Sequence, residues 1–177
     1  LRPHPTPAAT PASGSPGVRL LSAMIARISL LAVFAGSLFA QVTFDRILRS
    51  DREPQNWLSY SGGVTSQRYS ALNQITAGNV ANLEMKWAFQ ARSLEKFEAT
   101  PLVVDGTMYV TQAPNDIVAL DAATGAVKWI YSYSPSREAR VCCGRINRGV
   151  AILGNTLYMG TIDAHLVAVD ARDGKPF

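Results

Sequence analysis

Short β-prone runs, mostly apolar and separated by turn-forming pairs, fill most of the second half of the chain. The runs "PLVVDGTMYVT", "DIVALDAATG", "AVKWIYSY", "GVAILGNTLYMGT" and "HLVAVDARDG" are rich in Val, Ile, Thr and Tyr and are cut by Asp-Gly, Gly-Asn and Thr-Gly pairs. β-Branched and aromatic side chains suit a pleated surface, and such dipeptides supply tight turns, so the pattern predicts a succession of short strands. One stretch, residues 77–83, reads as weakly helical with Thr76 available as its N-cap. Upstream the pattern changes. Residues 28–40 form an apolar run preceded by Met24 and Arg27, and before them "RPHPTPAATPASGSPG" offers nothing to bury.

The strand runs repeat. Residues 105–129, "DGTMYVTQAPNDIVALDAATGAVKW", lie over residues 153–177, "LGNTLYMGTIDAHLVAVDARDGKPF", matching Gly106 to Gly154, Tyr109 to Tyr158 and Asp121 to Asp170. The two aspartates are 49 residues apart. A period of about 50 residues holding about four strands predicts an all-β protein, a β-propeller, with one unit per blade. In each unit Ala-x-Asp-x-x-x-Gly shapes the turn between the third and fourth strands. A propeller closes on roughly four to eight blades, and about two are present, the second reaching Phe177 before a counterpart of Trp129. The expectation is the N-terminal part of a longer protein, cut within the second blade.

Charge narrows the function classes. Three of the 17 basic residues, Arg2, Arg19 and Arg27, fall in the first forty positions, which hold no acid, leaving 14 basic against 13 acidic residues beyond them. That near-neutral body lacks the concentrated basic face that nucleic acid requires. A basic start, an apolar run and small residues give the shape of a secretory signal peptide over residues 24–40, with cleavage after Ala40. The run falls short of the roughly 20 residues of a membrane span; a permanent anchor is the alternative. We read Met24 as the initiator, residues 1–23 as a disordered upstream segment that start-site choice has added, and residues 41–177 as the propeller part. Export favours oxidation of close thiols, which matters because the only two cysteines, Cys142 and Cys143, are adjacent.

Over residues 56–177 the sequence resembles a family. "NWLSYSGGVTSQRYSALNQITAGNVANLEMKWAF", "ALDAATGAVKW" and "CCGRINRG" are similar to the opening segment, a tryptophan-docking motif and the cofactor loop of the pyrroloquinoline quinone (PQQ)-dependent alcohol dehydrogenases. Ser61 stands where that family commonly has Gly and Ala71 where it has Pro. The resemblance implies a periplasmic enzyme on an eight-bladed propeller, with Trp87 and Trp129 packing against adjacent blades. It implies a disulfide between Cys142 and Cys143 as a stiff plate against one face of the quinone, followed by Asn147, Arg148 and Gly149.

Neighbouring α-carbons lie about 3.8 Å apart, below the usual disulfide range, so such a bond distorts its peptide. Two free cysteines, or half a metal site, are the alternatives. By the same resemblance Arg148 binds a cofactor carboxylate or stays near the reactive carbonyls, and Glu98 hydrogen-bonds the cofactor from the start of the first blade. An ion pair between blades is the alternative for Arg148, and a solvated carboxylate the alternative for Glu98. Arg145 reads as surface and His165 as structural.

The family's Ca²⁺ ligands and catalytic aspartate have no counterpart in this stretch, so the fragment alone is expected to be inactive. The intact enzyme would oxidise an alcohol to an aldehyde or ketone, with PQQ and Ca²⁺, or a lanthanide in some relatives, passing electrons to a cytochrome c or a quinone. A non-catalytic propeller scaffold in the cell envelope is the alternative, sharing the docking motifs but having no use for the cysteine pair. N-terminal sequencing of the exported product should return Gln41 first; retention of residues 28–40 would favour the anchor.

Overall fold

The computed structural model describes residues 42–177; the upstream segment 1–23 and the signal peptide 24–40 of the sequence reading lie outside the described residues. Strands β1 (Leu102–Val104), β2 (Thr107–Gln112), β3 (Asp116–Asp121) and β4 (Val127–Ser132) form an antiparallel sheet in sequence order. Strands β5 (Ala151–Leu153), β6 (Thr156–Gly160) and β7 (Leu166–Asp170) form a second such sheet. The register repeats pair by pair. Leu102 opposite Tyr109 returns as Ala151 opposite Tyr158, Thr107 opposite Asp121 as Thr156 opposite Asp170, and Leu120 opposite Val127 as the bridge between Val169 and Pro176. These are two consecutive blades of a propeller, as the 49-residue period predicts.

Three details differ from the sequence reading. The β1–β2 and β5–β6 turns are two-residue turns, which places Asp105 over Gly154 and Gly106 over Asn155, not glycine over glycine. Asp105 (φ 47°) and Gly106 (φ 78°) both take positive φ, the pattern of a type I′ hairpin, whereas in the second turn it is Gly154 that does so (φ 63°). The predicted helix at 77–83 shrinks to a 3-10 turn, Val80–Asn82. Thr76 is not its cap: Asn79 Oδ1 accepts the Thr76 N–H at 2.7 Å while Asn79 Nδ2 donates to Gln74 O at 2.8 Å. Asparagine competes in this way with helical bonding, and Gly78 adds to the cost. A short helix that the sequence pattern did not suggest, α1 (Phe44–Leu48), is capped by Thr43, whose hydroxyl accepts the Arg46 N–H at 3.2 Å.

The alternation of β3 explains how blades stack. Ile117 and Ala119 face one way and join Leu102, Val104 and Tyr109 with Leu157, Met159 and Val169 of the second blade in one core. Val118 and Leu120 face the other way, into a core with Val110 and the flanking side chains Trp87, Phe89 and Ala99. A strand buried on both faces contributes roughly 1.5–3 kcal/mol per large side chain, more than a surface ion pair can. The outer face of the second blade repeats the pattern without the cover: Ile117 is fully buried, and its counterpart Leu166 is 73% exposed.

Each blade's turn seats a tryptophan. The Trp87 indole N–H donates to Ala122 O at 3.3 Å and the Trp129 indole N–H to Ala171 O at 3.2 Å, 49 residues on. The turn beneath is closed by its aspartate: Asp121 Oδ1 accepts from the N–H groups of Ala123 and Thr124 and from the Thr124 hydroxyl, while Gly125 donates to Asp121 O. In the second blade Asp170 Oδ1 accepts one turn N–H, that of Arg172, while Gly174 donates to Asp170 O, and the Arg172 guanidinium pulls the carboxyl down to about 2.

At the end of the blades that carries these turns, Arg46 forks to Glu53 (2.6 Å) and Asp105 (2.8 Å), and Asn56 bonds both carboxylates. Arg46 is the main cause that both acids sit below their usual range. Backbone bonds from Val42 to Gly154 and from Trp57 to Val103 complete the attachment of the N-terminal segment to both sheets.

A Cβ at Gly125 would stand 2.5 Å from the Trp87 ring, whereas one at Gly106 would meet nothing within 4 Å; both residues have positive φ. In the full-length protein Gly125→Ala should therefore cost roughly 2–3 kcal/mol and Gly106→Ala about 1 kcal/mol, read from urea midpoints. Equal losses would count against the tryptophan seat as the tighter constraint.

Candidate functional site

The register assigns each connection to one end of the blades. Val104 opposite Thr107 and Thr107 opposite Asp121 put turns 105–106 and 122–126 at one end. The lead into β1, the β2–β3 hairpin, the β4–β5 connection (133–150) and the β6–β7 hairpin lie at the other. Glu98, Cys142, Cys143 and Arg148 all belong to that second end.

Glu98 and Arg148 meet. Arg148 NH2 lies 3.2 Å from Glu98 Oε2, with side chains 67% and 41% exposed respectively. The backbones that carry them are fastened side by side, since the Thr100 N–H donates to Arg148 O at 3.4 Å. Gly149 makes this approach possible: at φ 125° it takes a conformation that L side chains rarely adopt, and a Cβ there would sit 3.1 Å from Thr100 O. A pair this exposed contributes at most about 1 kcal/mol to stability, so most of the guanidinium's hydrogen-bonding capacity faces solvent and remains available to an anion.

Asn147 points the other way and is 7% exposed. Its Nδ2 donates to Gly160 O (2.9 Å) and Asn115 Oδ1 (3.3 Å), its Oδ1 accepts the Gly149 N–H (3.0 Å), and its carbonyl accepts the Thr111 hydroxyl (3.3 Å). The Asn-Arg-Gly turn is thus pinned by its buried asparagine, shaped by its glycine and left with its arginine outward. Asn115, fully buried in the β2–β3 hairpin, also accepts the Ile162 N–H at 3.2 Å and so ties the turn to the second blade.

Cys142 and Cys143 form a disulfide, with α-carbons 3.8 Å apart, and both residues are exposed. The bond sits on the same connection as Arg148, five residues before it counting from Cys143. Joined in this way the two sulfurs offer a face with neither a thiol proton nor a free nucleophile. Arg145 is exposed, as expected of a surface residue. His165 does have a neighbour: its Nδ1 is 3.3 Å from Asp163 Oδ1. Among the described residues no group of three or more His, Cys, Asp and Glu side chains could hold a metal ion, and no helix is long and apolar enough to cross a membrane.

Sequence reasoning passed over Asn115 and Asp163, because asparagine and aspartate in hairpin turns read as turn formers and carry no further signal. What marks them is the partner each finds on a distant segment, which only the fold supplies.

Two propeller blades thus carry a paired arginine and glutamate and a vicinal disulfide on connections at one end. Comparison with known proteins makes the class specific. Residues 57–177 match the family described as PQQ: glucose/ethanol/alcohol dehydrogenase, beta-propeller domain. The chain is 40% identical over 137 residues to the dehydrogenase subunit of the quinone alcohol dehydrogenase of Gluconacetobacter polyoxogenes, covering 75% of this chain and 18% of that protein. It is 37% identical over 158 residues to the quinohemoprotein alcohol dehydrogenase ADH-IIG of Pseudomonas putida, covering 88% of this chain and 22% of that one. The solved structure of ADHIIG from Pseudomonas putida HK5 superposes with a TM-score of 0.75 at 40% identity over 77% of this chain and 20% of its own. A europium-containing methanol dehydrogenase does so at 0.70 and 37%, over 75% of this chain and 24% of its own. The chain belongs to the PQQ-dependent dehydrogenase family and spans about a fifth of the length of these relatives.

A double-mutant cycle separates the two roles open to the Glu98–Arg148 pair. In full-length protein without cofactor, Glu98→Gln, Arg148→Gln and the double variant should give a coupling of no more than about 1 kcal/mol in urea unfolding. A coupling of several kcal/mol would make the pair a structural tie between blades.

Proposed function

We propose that the chain is the N-terminal part of an exported, periplasmic PQQ- and calcium-dependent dehydrogenase that oxidises alcohols to aldehydes or ketones. The observation that carries the reading is the Arg148–Glu98 pair, largely exposed on the same end of the blades as the Cys142–Cys143 disulfide. PQQ is a flat ortho-quinone with three carboxylates, and the residues present fit it. The Arg148 guanidinium would pair with a carboxylate or stay near a quinone oxygen, Glu98 would accept a hydrogen bond while holding Arg148 in place, and the disulfide would cover one face. When bound, the cofactor would supply the two-electron acceptor for alcohol oxidation, with the cation as Lewis acid.

Work by this chain's own residues is binding and orientation; the base that takes the alcohol's proton and the ligands of the cation belong to other blades of an eight-bladed ring. The fragment by itself is inactive on this reading. The open face of the second blade around Leu166 is where the next blade would stack, because its counterpart in the first blade is covered in that way. The electron acceptor is a cytochrome c or a quinone. A vicinal disulfide leading into Asn147, Arg148 and Gly149 has no task in a non-catalytic envelope scaffold, which weighs against that alternative.

Full-length protein reconstituted with PQQ and Ca²⁺ should reduce an artificial electron acceptor when given primary or secondary alcohols. Replacing Cys142 and Cys143 together by Ala should leave folding intact by circular dichroism and lower turnover at least roughly tenfold, as loss of cofactor alignment does. Wild-type turnover in that variant would remove the plate from the mechanism, and no alcohol-dependent reduction by the reconstituted protein would sink the dehydrogenase reading.

A further inference from the structure

Besides the Thr100 to Arg148 backbone bond, two side chains fasten the connection that carries the disulfide, one on either side of it. One is Asn147. The other is Asp163, in the β6–β7 hairpin of the second blade, whose side chain is 6% exposed. Asp163 Oδ2 accepts the Ser136 backbone N–H at 2.8 Å and the Tyr133 hydroxyl at 3.2 Å. Its Oδ1 accepts the Thr161 hydroxyl and faces His165 Nδ1 at 3.3 Å. The hairpin presenting this carboxylate is itself closed, with the Thr161 N–H donating to His165 O at 2.8 Å and the His165 N–H to the Thr161 hydroxyl oxygen at 3.0 Å.

Asp163 differs from Asp121 and Asp170, whose carboxylates mainly serve their own turns. It reaches 27 residues back along the chain to Ser136, which lies six residues before Cys142. Between Ser136 and Asn147 the hydrogen bonds of the connection are local: Glu138 N–H to Ser136 Oγ, Ala139 N–H to Ser136 O, and Ile146 N–H to Gly144 O. Local bonds set the shape of a loop; bonds to another element set its place. The Thr161 hydroxyl and the Ser136 N–H hold the Asp163 carboxyl well below the usual range, so it remains an acceptor at ordinary pH.

We propose that Asp163 is a positioning residue, which fixes the Cys142–Cys143 disulfide relative to the second blade by clamping the start of its loop while Asn147 clamps the end. What the disulfide serves rests on the dehydrogenase reading; the clamp itself does not.

The test follows the disulfide directly. Full-length wild type, Asp163→Ala, Asp163→Asn and a far-end control, Gly106→Ala, are treated with a dithiol reductant, and thiols are trapped over time and counted by mass spectrometry. Each variant is assayed at the same interval below its own melting temperature, with rates normalised to a small-molecule disulfide at that temperature. Asp163→Ala should be reduced roughly tenfold faster than wild type, since it loses charge-assisted bonds to the loop. Asp163→Asn should fall between them because its side-chain carbonyl still accepts the Ser136 N–H, and the control should match wild type. Equal rates in Asp163→Ala and the control would overturn the clamp. Should Asp163→Ala not fold, Tyr133→Phe and Asp163→Asn take its place, and wild-type rates in both would overturn it equally. Failure of wild-type protein to bind PQQ would remove the dehydrogenase reading and leave the reduction comparison intact.

Discussion

The indole of each tryptophan lies over the glycine of a neighbouring turn and donates to a carbonyl of that turn, and the placement of everything else follows from this contact. Trp129 leaves the outer strand of the first blade and lands on Ala171 and Gly174 of the second. Trp87 lands in the same manner on Ala122 and Gly125. Both glycines have positive φ and no room for a Cβ, so the seat is specified by backbone as well as by side chain. Once two blades are locked at their outer edge, the cores between them can close. The loops at the opposite end are then brought to fixed separations, among them the 3.2 Å approach of Arg148 to Glu98.

Much of this was legible in the sequence, for identifiable reasons. Strands and turns declare themselves through β-prone apolar runs and through Asp-Gly and Thr-Gly pairs, and a repeat of 49 residues carries the blade with it. The cysteine pair stood out because the chain has no other cysteines, and the docking role of the tryptophans was implied by the family resemblance. The β1–β2 turn was misaligned by one residue because two different dipeptides meet the same geometric demand. The helix at 77–83 was overextended because Asn79 bonds locally instead of propagating a helix. Helix α1 was missed because five residues carry too little periodicity to register.

The candidate site was legible only as a set of residues. Glu98 and Arg148 are 50 positions apart in sequence, and nothing local says that they touch. The buried Asn115 and the carboxylate of Asp163 were hidden for the same reason, and Asn147, though named by its motif, gave no sign of its distant partners Gly160 and Asn115. Polar groups that are buried must find partners, so these side chains report on the fold more than on their own neighbourhood.

The two ends of the blades differ in their longest connection. Turns at the tryptophan end run two to five residues, bound by register to the strands on either side like the β2–β3 and β6–β7 hairpins opposite, and one inserted residue would turn a whole strand over. The connection at the other end from β4 to β5 runs 18 residues and is held on both sides of the disulfide. Lengthening such a connection costs only a logarithm of its length in closure entropy. New recognition chemistry can therefore be written into one rim of this fold, residue by residue, while the other rim keeps the register.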